Sequence, residues 1–195
     1  MKEYKTEQVR NIVLLSHQSA GKTSLVESML LASGALTRAG RVEDGNTVAD
    51  FDPEAIERKI SLSAAAVAVE WKGYKINLLD TPGTFDFVGE VKQAVRVADN
   101  ALFLVDSVAG VEVGTELTWG YADERSLPRM VVVNKMDREN ASFERALSAL
   151  QERFAGQFIP MFLPIGSQSS FEGVVDVVKR KAFLDAWRLN PLERH

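Results

Sequence analysis

Short apolar segments alternate with amphipathic segments of helical length along most of the chain. Residues 11–15 form an apolar run of strand length, which predicts a strand covered on both faces of a sheet. Residues 22–32 carry apolar side chains at helical spacing, and Gly34 follows as a residue that can end the helix. A buried strand followed directly by a helix is typical of an α/β fold.

The same alternation continues along the chain and predicts a doubly wound, mainly parallel sheet. Strands are predicted at residues 62–71, 74–80, 101–105, 130–133 and 173–178, with another apolar run at 158–163. Helices are predicted at residues 88–98, 112–124 and 141–154. Lys72 and Gly73 are expected to join the first two of these strands as a tight hairpin. Residues 35–60 have no sustained period, which indicates either a functional loop or a wrong assignment of this segment.

Length, composition and charge exclude several classes of protein. A length of 195 residues corresponds to about one domain. The absence of cysteine excludes disulfides, cysteine-ligated zinc and a catalytic thiol, and it agrees with a reducing compartment. A net charge of −4 argues against a general polyanion-binding surface, and no apolar run approaches the length of a membrane span. We therefore expect a cytoplasmic protein that binds neither membranes nor specific DNA sequences.

The first candidate site lies where the first strand meets the first helix. The segment there approximates the phosphate-binding pattern GxxxxGKS/T, with serine in place of the first glycine. Its candidate nucleotide-binding residues are Ser16, His17, Gln18, Ser19, Ala20, Gly21, Lys22, Thr23 and Ser24. Lys22 is expected to contact the β- and γ-phosphates, and the Thr23 hydroxyl to ligate Mg²⁺. The alternative is a chance Gly-Lys-Thr at a helix start.

The second candidate site is the sequence Asp80-Thr81-Pro82-Gly83, at the end of a predicted strand. Ligands of doubly wound sheets bind outside the carboxyl ends of the strands. Asp80 is expected to face the Mg²⁺ shell through water, and Gly83 to offer its N–H to the γ-phosphate. An ordinary turn explains the same residues, since their composition favours one.

The third candidate site is Asn134-Lys135-Met136-Asp137, which follows the predicted strand at 130–133. The Asp137 carboxylate can accept two hydrogen bonds from a guanine edge, which adenine cannot supply. Asn134 would connect to the first loop, and the Lys135 stem would cover the base. The alternative is a polar loop with Asp137 near a helix N-terminus. The three motifs occur in order at strand ends, and together they predict a site for GTP or GDP with Mg²⁺.

These motifs resemble those of the translation-factor GTPases, especially elongation factor G and its paralogues. Asp86 and Phe87 after the second motif, and Gly34 and Ala35 after the first helix, add to the resemblance, which extends from about residue 9 to 182. It implies the Ras-like G-domain version of the phosphate-loop NTPase fold. It also implies GTP hydrolysis coupled to movement of switch segments, with the ribosome as partner.

The resemblance places the first switch segment at residues 35–60 and its Mg²⁺-binding hydroxyl at Ser61, with Lys59 where the family has glycine. Thr84 stands where the family has the histidine that positions the attacking water. A threonine hydroxyl is shorter and cannot become cationic. The catalytic set is therefore Lys22, Gly83 and Thr84, with slow hydrolysis expected, and His17 is assigned a structural role.

The resemblance also implies a domain organisation. Residues 1–164 are predicted to form the GTP-binding domain, and residues 165–195 the start of a truncated insertion within a longer multidomain factor. The Ser-Ala-hydrophobic loop that contacts guanine in the family is missing, and Ser167-Gln168-Ser169 is a poor match to it. Two other functions remain open: a hydrolysis-deficient guanine-nucleotide switch acting on a non-ribosomal partner, and an unrelated phosphate-loop ATPase or kinase.

Overall fold

The structure, a computed structural model, describes residues 2–184. Its strands are β1 (Val9–Leu15), β2 (Ala65–Trp71), β3 (Tyr74–Asp80), β4 (Asn100–Asp106), β5 (Arg129–Asn134), β6 (Phe162–Ile165), β7 (Gly173–Asp176) and β8 (Lys181–Leu184). Its helices are α1 (Lys22–Ala32), α2 (Pro53–Arg58), α3 (Val88–Val97), α4 (Val113–Glu124) and α5 (Phe143–Arg153). Within this part of the chain, strands and helices alternate from β1 to α5 except that α2 follows α1 and that β2 and β3 form a hairpin.

The larger sheet has five strands in the order β2-β3-β1-β4-β5. Strand β1 pairs in parallel with β3 on one side and β4 on the other. From Ala101 onward every residue of β4 is buried, as expected for a strand covered by helices on both faces. The predicted α/β class with a mainly parallel, doubly wound sheet is confirmed.

The edge of this sheet is a hairpin in which β2 runs antiparallel to β3. Buried and exposed residues alternate along most of β2, because one face of an edge strand packs on the core and the other meets solvent. Lys72 and Gly73 make the connection with positive φ values of 48° and 85°, as the predicted tight turn requires.

Helix α1 ends where the sequence predicts, because Gly34 adopts the left-handed conformation (φ 78°) just after it. The helix packs into an apolar cluster beneath the sheet. Its buried members are Leu14, Ala20, Val26, Leu30, Ala49, Ala65, Val67, Val69, Leu78, Leu102 and Leu104. This core fixes the position of the loop between β1 and α1.

The expectation that residues 35–60 lack regular structure is wrong for α2 (Pro53–Arg58). A helix of six residues is too short to leave a periodic pattern, but its N-terminal signals are present: Asp52 accepts a hydrogen bond from the Glu54 N–H, and Pro53 opens the first turn. Lys59 follows with φ 55°, the left-handed conformation that glycine adopts most easily. Lysine at this position therefore keeps the backbone shape that a glycine would favour.

The last predicted strands differ from those observed. The apolar run at 158–163 is not a strand as a whole, since β6 begins only at Phe162, and the strand predicted at 173–178 ends at Asp176. Strand β8 follows, and β6, β7 and β8 form an antiparallel three-stranded sheet. Residues 185–195 lie outside the described residues. The domain boundary at 164/165 stays a prediction.

The chain divides into two compact units. One comprises Met1–Leu104 with Val113–Val132, and the other Val105–Glu112 with Val133–His195. Between residues 2 and 184, no helix is both long enough and apolar enough to cross a membrane.

Candidate functional site

The loop between β1 and α1 wraps its backbone around the Lys22 side chain. Ser19 and Gly21 both have positive φ values, 62° and 103°. The Lys22 ammonium donates to the Ser16 hydroxyl (2.9 Å) and to the His17 carbonyl (3.4 Å). Ser16 is almost fully buried and donates its own proton to the His17 carbonyl (2.7 Å). A serine in place of the first glycine of the motif is therefore accommodated, and its hydroxyl adds a partner for Lys22.

Lys22 is held in an unfavourable environment for a cation. It is 6% exposed, and burial lowers the pKa of its ammonium to about 8. The negative charges of Asp80 and Asp50 only partly offset that effect. A buried ammonium whose charge is incompletely compensated can gain from an anionic ligand.

Thr23, Ser61 and Asp80 converge at the start of α1. The Thr23 hydroxyl donates to Asp80 Oδ2 (2.7 Å) and lies 3.4 Å from the Ser61 hydroxyl. Burial raises the pKa of Asp80 to about 6, against the opposing effects of the Thr23 hydrogen bond and the Lys22 charge. Asp80 Oδ1 is buried and has no hydrogen-bond partner among residues 2–184. The three predicted metal-binding residues therefore lie together.

Asp50 is a member of this cluster that the sequence motifs did not identify. Its side chain is buried, and Oδ2 has no hydrogen-bond partner within the described part of the chain. Its charge raises the pKa of both Lys22 and Asp80, which places the carboxylate near the two groups. It lies in an aperiodic segment, so only its position in the fold distinguishes it from the other acidic residues there.

The segment after β3 is anchored tightly against the first loop. The Thr81 hydroxyl donates to the Leu14 carbonyl (2.6 Å), and Leu14 pairs with Asp80 in the parallel ladder. A Cβ on Gly83 would lie 2.6 Å from Gln18 Cα and 2.9 Å from Lys22 Nζ. Glycine at position 83 is therefore required for the close approach of the two loops, next to the lysine.

Thr84 and His17 are both partly buried near this junction. The Thr84 hydroxyl is buried without a hydrogen-bond partner among residues 2–184. His17 Nδ1 accepts a hydrogen bond from the Gly114 N–H (3.3 Å), and its ring lies 6.1 Å from the ring of Phe85. These contacts support the structural role predicted for His17.

Asn134, Lys135 and Asp137 lie in the second unit, at the end of β5. Lys135 has a φ of 61°, and its ammonium pairs with Asp106 Oδ2 at 2.8 Å. Burial opposes ionisation of Asp106, but hydrogen bonds from Lys135 and from the Val108 and Ala109 N–H groups lower the pKa of its carboxyl. Asp106, which no motif had identified, therefore orients the lysine.

The backbone of the same loop is fixed from two sides. Ser107 donates its N–H to the Asn134 carbonyl (3.0 Å) and its hydroxyl to the Lys135 carbonyl (2.8 Å). The Gln168 N–H donates to the Met136 carbonyl (2.8 Å), so the segment at 167–169 adjoins the motif even though its sequence matches poorly. Asp137 is exposed and makes no hydrogen bond or ion pair with any residue from 2 to 184, which leaves its carboxylate available to a ligand.

Comparison with protein families gives a match to one described as the elongation factor Tu GTP binding domain, over residues 7–187. The chain belongs to this family. The match covers most of the chain and includes the three predicted motifs. The prediction of a guanine-nucleotide-binding G domain is therefore confirmed.

Relatives of this GTP-binding domain are translation factors. Elongation factor G of Granulibacter bethesdensis is 43% identical over 178 residues, which are 91% of this chain and 26% of that protein. A mitochondrial ribosome-releasing factor 2 of Pongo abelii is 43% identical over 182 residues, 93% of this chain and 23% of that protein. A crystal structure from Thermus thermophilus superimposes with a TM-score of 0.86 at 38% identity, covering 91% of this chain and 26% of that one.

The chain thus spans about a quarter of the length of the curated relatives it matches. The prediction of a G domain similar to that of elongation factor G is confirmed. The relatives give no support to an unrelated ATPase or kinase, or to a switch acting on a non-ribosomal partner.

Replacing Asp80 by asparagine in this GTP-binding domain should raise the stability of the nucleotide-free protein. The pKa of Asp80 is raised to about 6 in the folded state. Folding therefore becomes less favourable as the pH rises from the ordinary pKa of an aspartate to about 6. At pH 7 the Asp80→Asn variant should gain about 1–2 kcal/mol in unfolding free energy, with the amide still accepting from Thr23. Urea unfolding at pH 7 and pH 4 measures the effect, which should vanish at pH 4.

The exposed loop residue Asp44 provides the control, since Asp44→Asn removes a carboxylate without changing a buried site. An Asp80→Asn protein less stable than the wild type at pH 7 would show that the carboxylate is not a destabilising group.

Proposed function

We propose that this chain binds GTP with Mg²⁺ and hydrolyses it to GDP and phosphate as part of a ribosome-associated translation factor. The observation that carries the proposal is the convergence of Lys22, Thr23 and Asp80, with a buried ammonium beside a hydroxyl–carboxylate pair. An ammonium with uncompensated charge suits phosphate oxygens, and the oxygen groups suit a hard cation.

The phosphates are assigned to the loop at residues 16–23 and the start of α1. The N–H groups of a helix's first turn have no partners within the helix and, with the helix dipole, favour anions. Lys22 would exchange its bonds to Ser16 and His17 for phosphate oxygens, which offer stronger charge-assisted hydrogen bonds. Gly83, next to Lys22, would donate its N–H to the γ-phosphate.

The residues around Thr23 fit Mg²⁺. All candidate donors are oxygens: the hydroxyls of Thr23 and Ser61 and the carboxylates of Asp80 and Asp50. Both carboxylates have a buried oxygen without a partner in residues 2–184, and a water held by the metal would provide one. Bound Mg²⁺ would supply charge neutralisation at the phosphates. Asp80 and Asp50 would act through water, and Thr23 and Ser61 would offer direct ligands.

The guanine base is assigned to Asn134, Lys135 and Asp137. The free carboxylate of Asp137 can accept hydrogen bonds from the ring N–H and the exocyclic amine of guanine. Asp106 holds the Lys135 ammonium, so the aliphatic stem of that lysine is fixed and can cover an aromatic base.

Hydrolysis transfers the γ-phosphoryl group to water. The water oxygen forms a bond to the γ-phosphorus while the bond to the β–γ bridging oxygen breaks. GDP leaves with the electron pair, and a water proton passes to the phosphate product. Lys22 and Gly83 would stabilise the charge on the leaving phosphates. Thr84 is a weak choice for orienting the water, which makes slow intrinsic hydrolysis the expectation.

The relatives support the role that we propose for the whole protein. We assign residues 1–164 to the GTP-binding domain and residues 165–195 to the start of an insertion. Segment 35–60 is assigned as a nucleotide-dependent switch, and the ribosome as the partner. A cytoplasmic location is proposed from the resemblance to bacterial elongation factor G, whereas the relative from Pongo abelii is mitochondrial.

The guanine assignment is tested by Asp137→Asn. The amide presents an N–H₂ group that complements the extra carbonyl of xanthine, so preference should shift from GTP toward XTP. Loss of a charge-assisted hydrogen bond predicts a decrease in GTP affinity of about tenfold or more. Titration with fluorescent GTP and XTP, with ATP as a competitor, measures the change.

Glu139→Gln is the matched control, because Glu139 is an exposed carboxylate two residues away. It should leave both affinities unchanged. An Asp137→Asn variant that keeps the wild-type ratio of GTP to XTP affinity, or a wild type from which ATP displaces GTP, would refute the assignment.

A further inference from the structure

Helix α1 carries a second buried charged residue, Glu27, that the proposed site does not use. It is 2% exposed, between the core residues Val26 and Leu30. Glu27 Oε2 accepts a hydrogen bond from the Gly40 N–H (2.7 Å), and Oε1 accepts one from the Val48 N–H (2.6 Å). Both carboxylate oxygens are thus used on the backbone of one loop.

A buried carboxylate at this position needs a reason, because it lies beside the apolar core residues Val26 and Leu30. Burying an ionised group is costly unless it is paired or fully hydrogen-bonded. Glu27 has no ion pair within residues 2–184, so its two short bonds to backbone N–H groups provide the compensation. An amide could not replace it, since its N–H₂ would face a backbone N–H.

The loop that Glu27 holds leads directly into the proposed metal site. A Cβ at Gly40 would overlap the Asn46 carbonyl. The loop is therefore compact where the Gly40 N–H donates to Glu27. The Val48 N–H donates the other hydrogen bond to Glu27. Ala49, the next residue, is part of the apolar core. The next residue is Asp50, whose buried carboxylate has an oxygen without a partner in the described chain.

Glu27 also lies one turn after Thr23 on the same helix face. The Thr23 hydroxyl donates to Asp80, and the charge of Asp50 raises the pKa of both Asp80 and Lys22. One rigid helix therefore carries both the hydroxyl of the proposed metal site and the carboxylate that holds the loop.

We propose that Glu27 is a positioning residue, which clamps residues 40–48 to α1 and so holds Asp50 at the magnesium site. The inference rests on the proposed function, because it needs Mg²⁺ near Thr23 and Asp80. Its consequence is that Glu27, although it touches neither nucleotide nor metal, sets the affinity for Mg²⁺.

The test is Glu27→Gln, measured by titrating Mg²⁺ against the binding of fluorescent GDP. Losing groups that orient a metal's ligands typically costs tenfold or more in metal affinity, so half-saturating Mg²⁺ should rise by about tenfold. GDP affinity in EDTA should stay unchanged, because Lys22 and the phosphate loop are intact. Trypsin should cleave faster after Arg41, an exposed residue of the clamped loop.

Glu43→Gln, at an exposed carboxylate in the same loop, is the matched control and should match the wild type. Asp50→Asn should raise the half-saturating Mg²⁺ concentration as much as Glu27→Gln does. The double variant should raise it no further, because Glu27 acts through the position of Asp50. Glu27→Asp keeps the charge but reaches only one of the two N–H groups. It should therefore raise the half-saturating Mg²⁺ concentration by less than Glu27→Gln does.

Two results would overturn the inference. One is a folded Glu27→Gln protein with the wild-type Mg²⁺ response. The other is a decrease in GDP affinity that is equal with and without Mg²⁺, which a merely structural role predicts. A wild type whose GDP binding ignores Mg²⁺ would instead refute the proposed metal site itself.

Discussion

Lys22→Ala should weaken GTP and GDP binding by more than about hundredfold, because truncating one partner of a buried charged hydrogen bond costs several kcal/mol. The lysine lies at the centre of the loop at residues 16–23, with its ammonium bonded to Ser16 and His17. No other lysine in residues 2–184 belongs to this cluster. Equilibrium titration with fluorescent GDP measures the loss, and circular dichroism checks the fold.

Lys22→Met separates charge from packing, since it keeps most of the buried stem. It should lose affinity to a similar extent, whereas Lys5→Ala, at an exposed lysine, should bind normally. Unchanged affinity in a folded Lys22→Met protein would contradict the phosphate-loop assignment.

The pH dependence provides a second readout of the same residue. The folded-state pKa of Lys22 is lowered to about 8, so above that pH the nucleotide-free protein has lost the proton. Phosphate needs the ammonium, so binding must then take up a proton, and wild-type affinity should fall as pH rises above 8. Nucleotide-free stability should rise over the same range. Lys22→Met should lose both dependences.

The sequence predicted elements with strong local patterns and missed those without one. Buried strand β1, the α1 helix ending at Gly34 and the hairpin at Lys72 and Gly73 follow from periodicity and turn chemistry. Helix α2 was missed because six residues cannot display a helical period. The apolar run at 158–163 left the start of β6 at Phe162 open, because a short apolar run does not distinguish a strand from an irregular apolar segment.

The residues of the candidate site likewise fall into those that sequence motifs identify and those that only the fold identifies. Lys22, Thr23 and Asp80 belong to motifs and could be placed at strand ends from the sequence. Asp50 and Glu27 could not, because the importance of both comes from burial and that of Glu27 also from its hydrogen bonds to the loop at residues 40–48. Single acidic residues are usually solvated, in a loop as on a helix, so only the fold reveals that these two are enclosed.

Thr84→His should raise GTP hydrolysis by up to about hundredfold, chiefly when ribosomes are present to place the imidazole. The Thr84 hydroxyl is buried, and its side chain is too short to reach as far as the histidine that stands at this position in the family. A histidine side chain is longer and can become cationic, and both properties favour positioning a nucleophile in phosphoryl transfer. Thr84 also lines a pocket with Ser16, Val88 and Tyr121 that is only about 20 Å³ in volume, so the imidazole of Thr84→His is expected to point out of this pocket.

Single-turnover hydrolysis of GTP, with and without ribosomes, measures this effect separately from nucleotide binding, which should not change. Thr84→Val is the matched control: it keeps the shape and removes only the hydroxyl, so its hydrolysis should equal the slow wild-type rate. If the wild type instead turns over rapidly on ribosomes and Thr84→Val abolishes that activity, threonine is itself the positioning residue. Slow hydrolysis would then be the wrong expectation, because the hydroxyl would have to turn toward the water when the ribosome engages the switch.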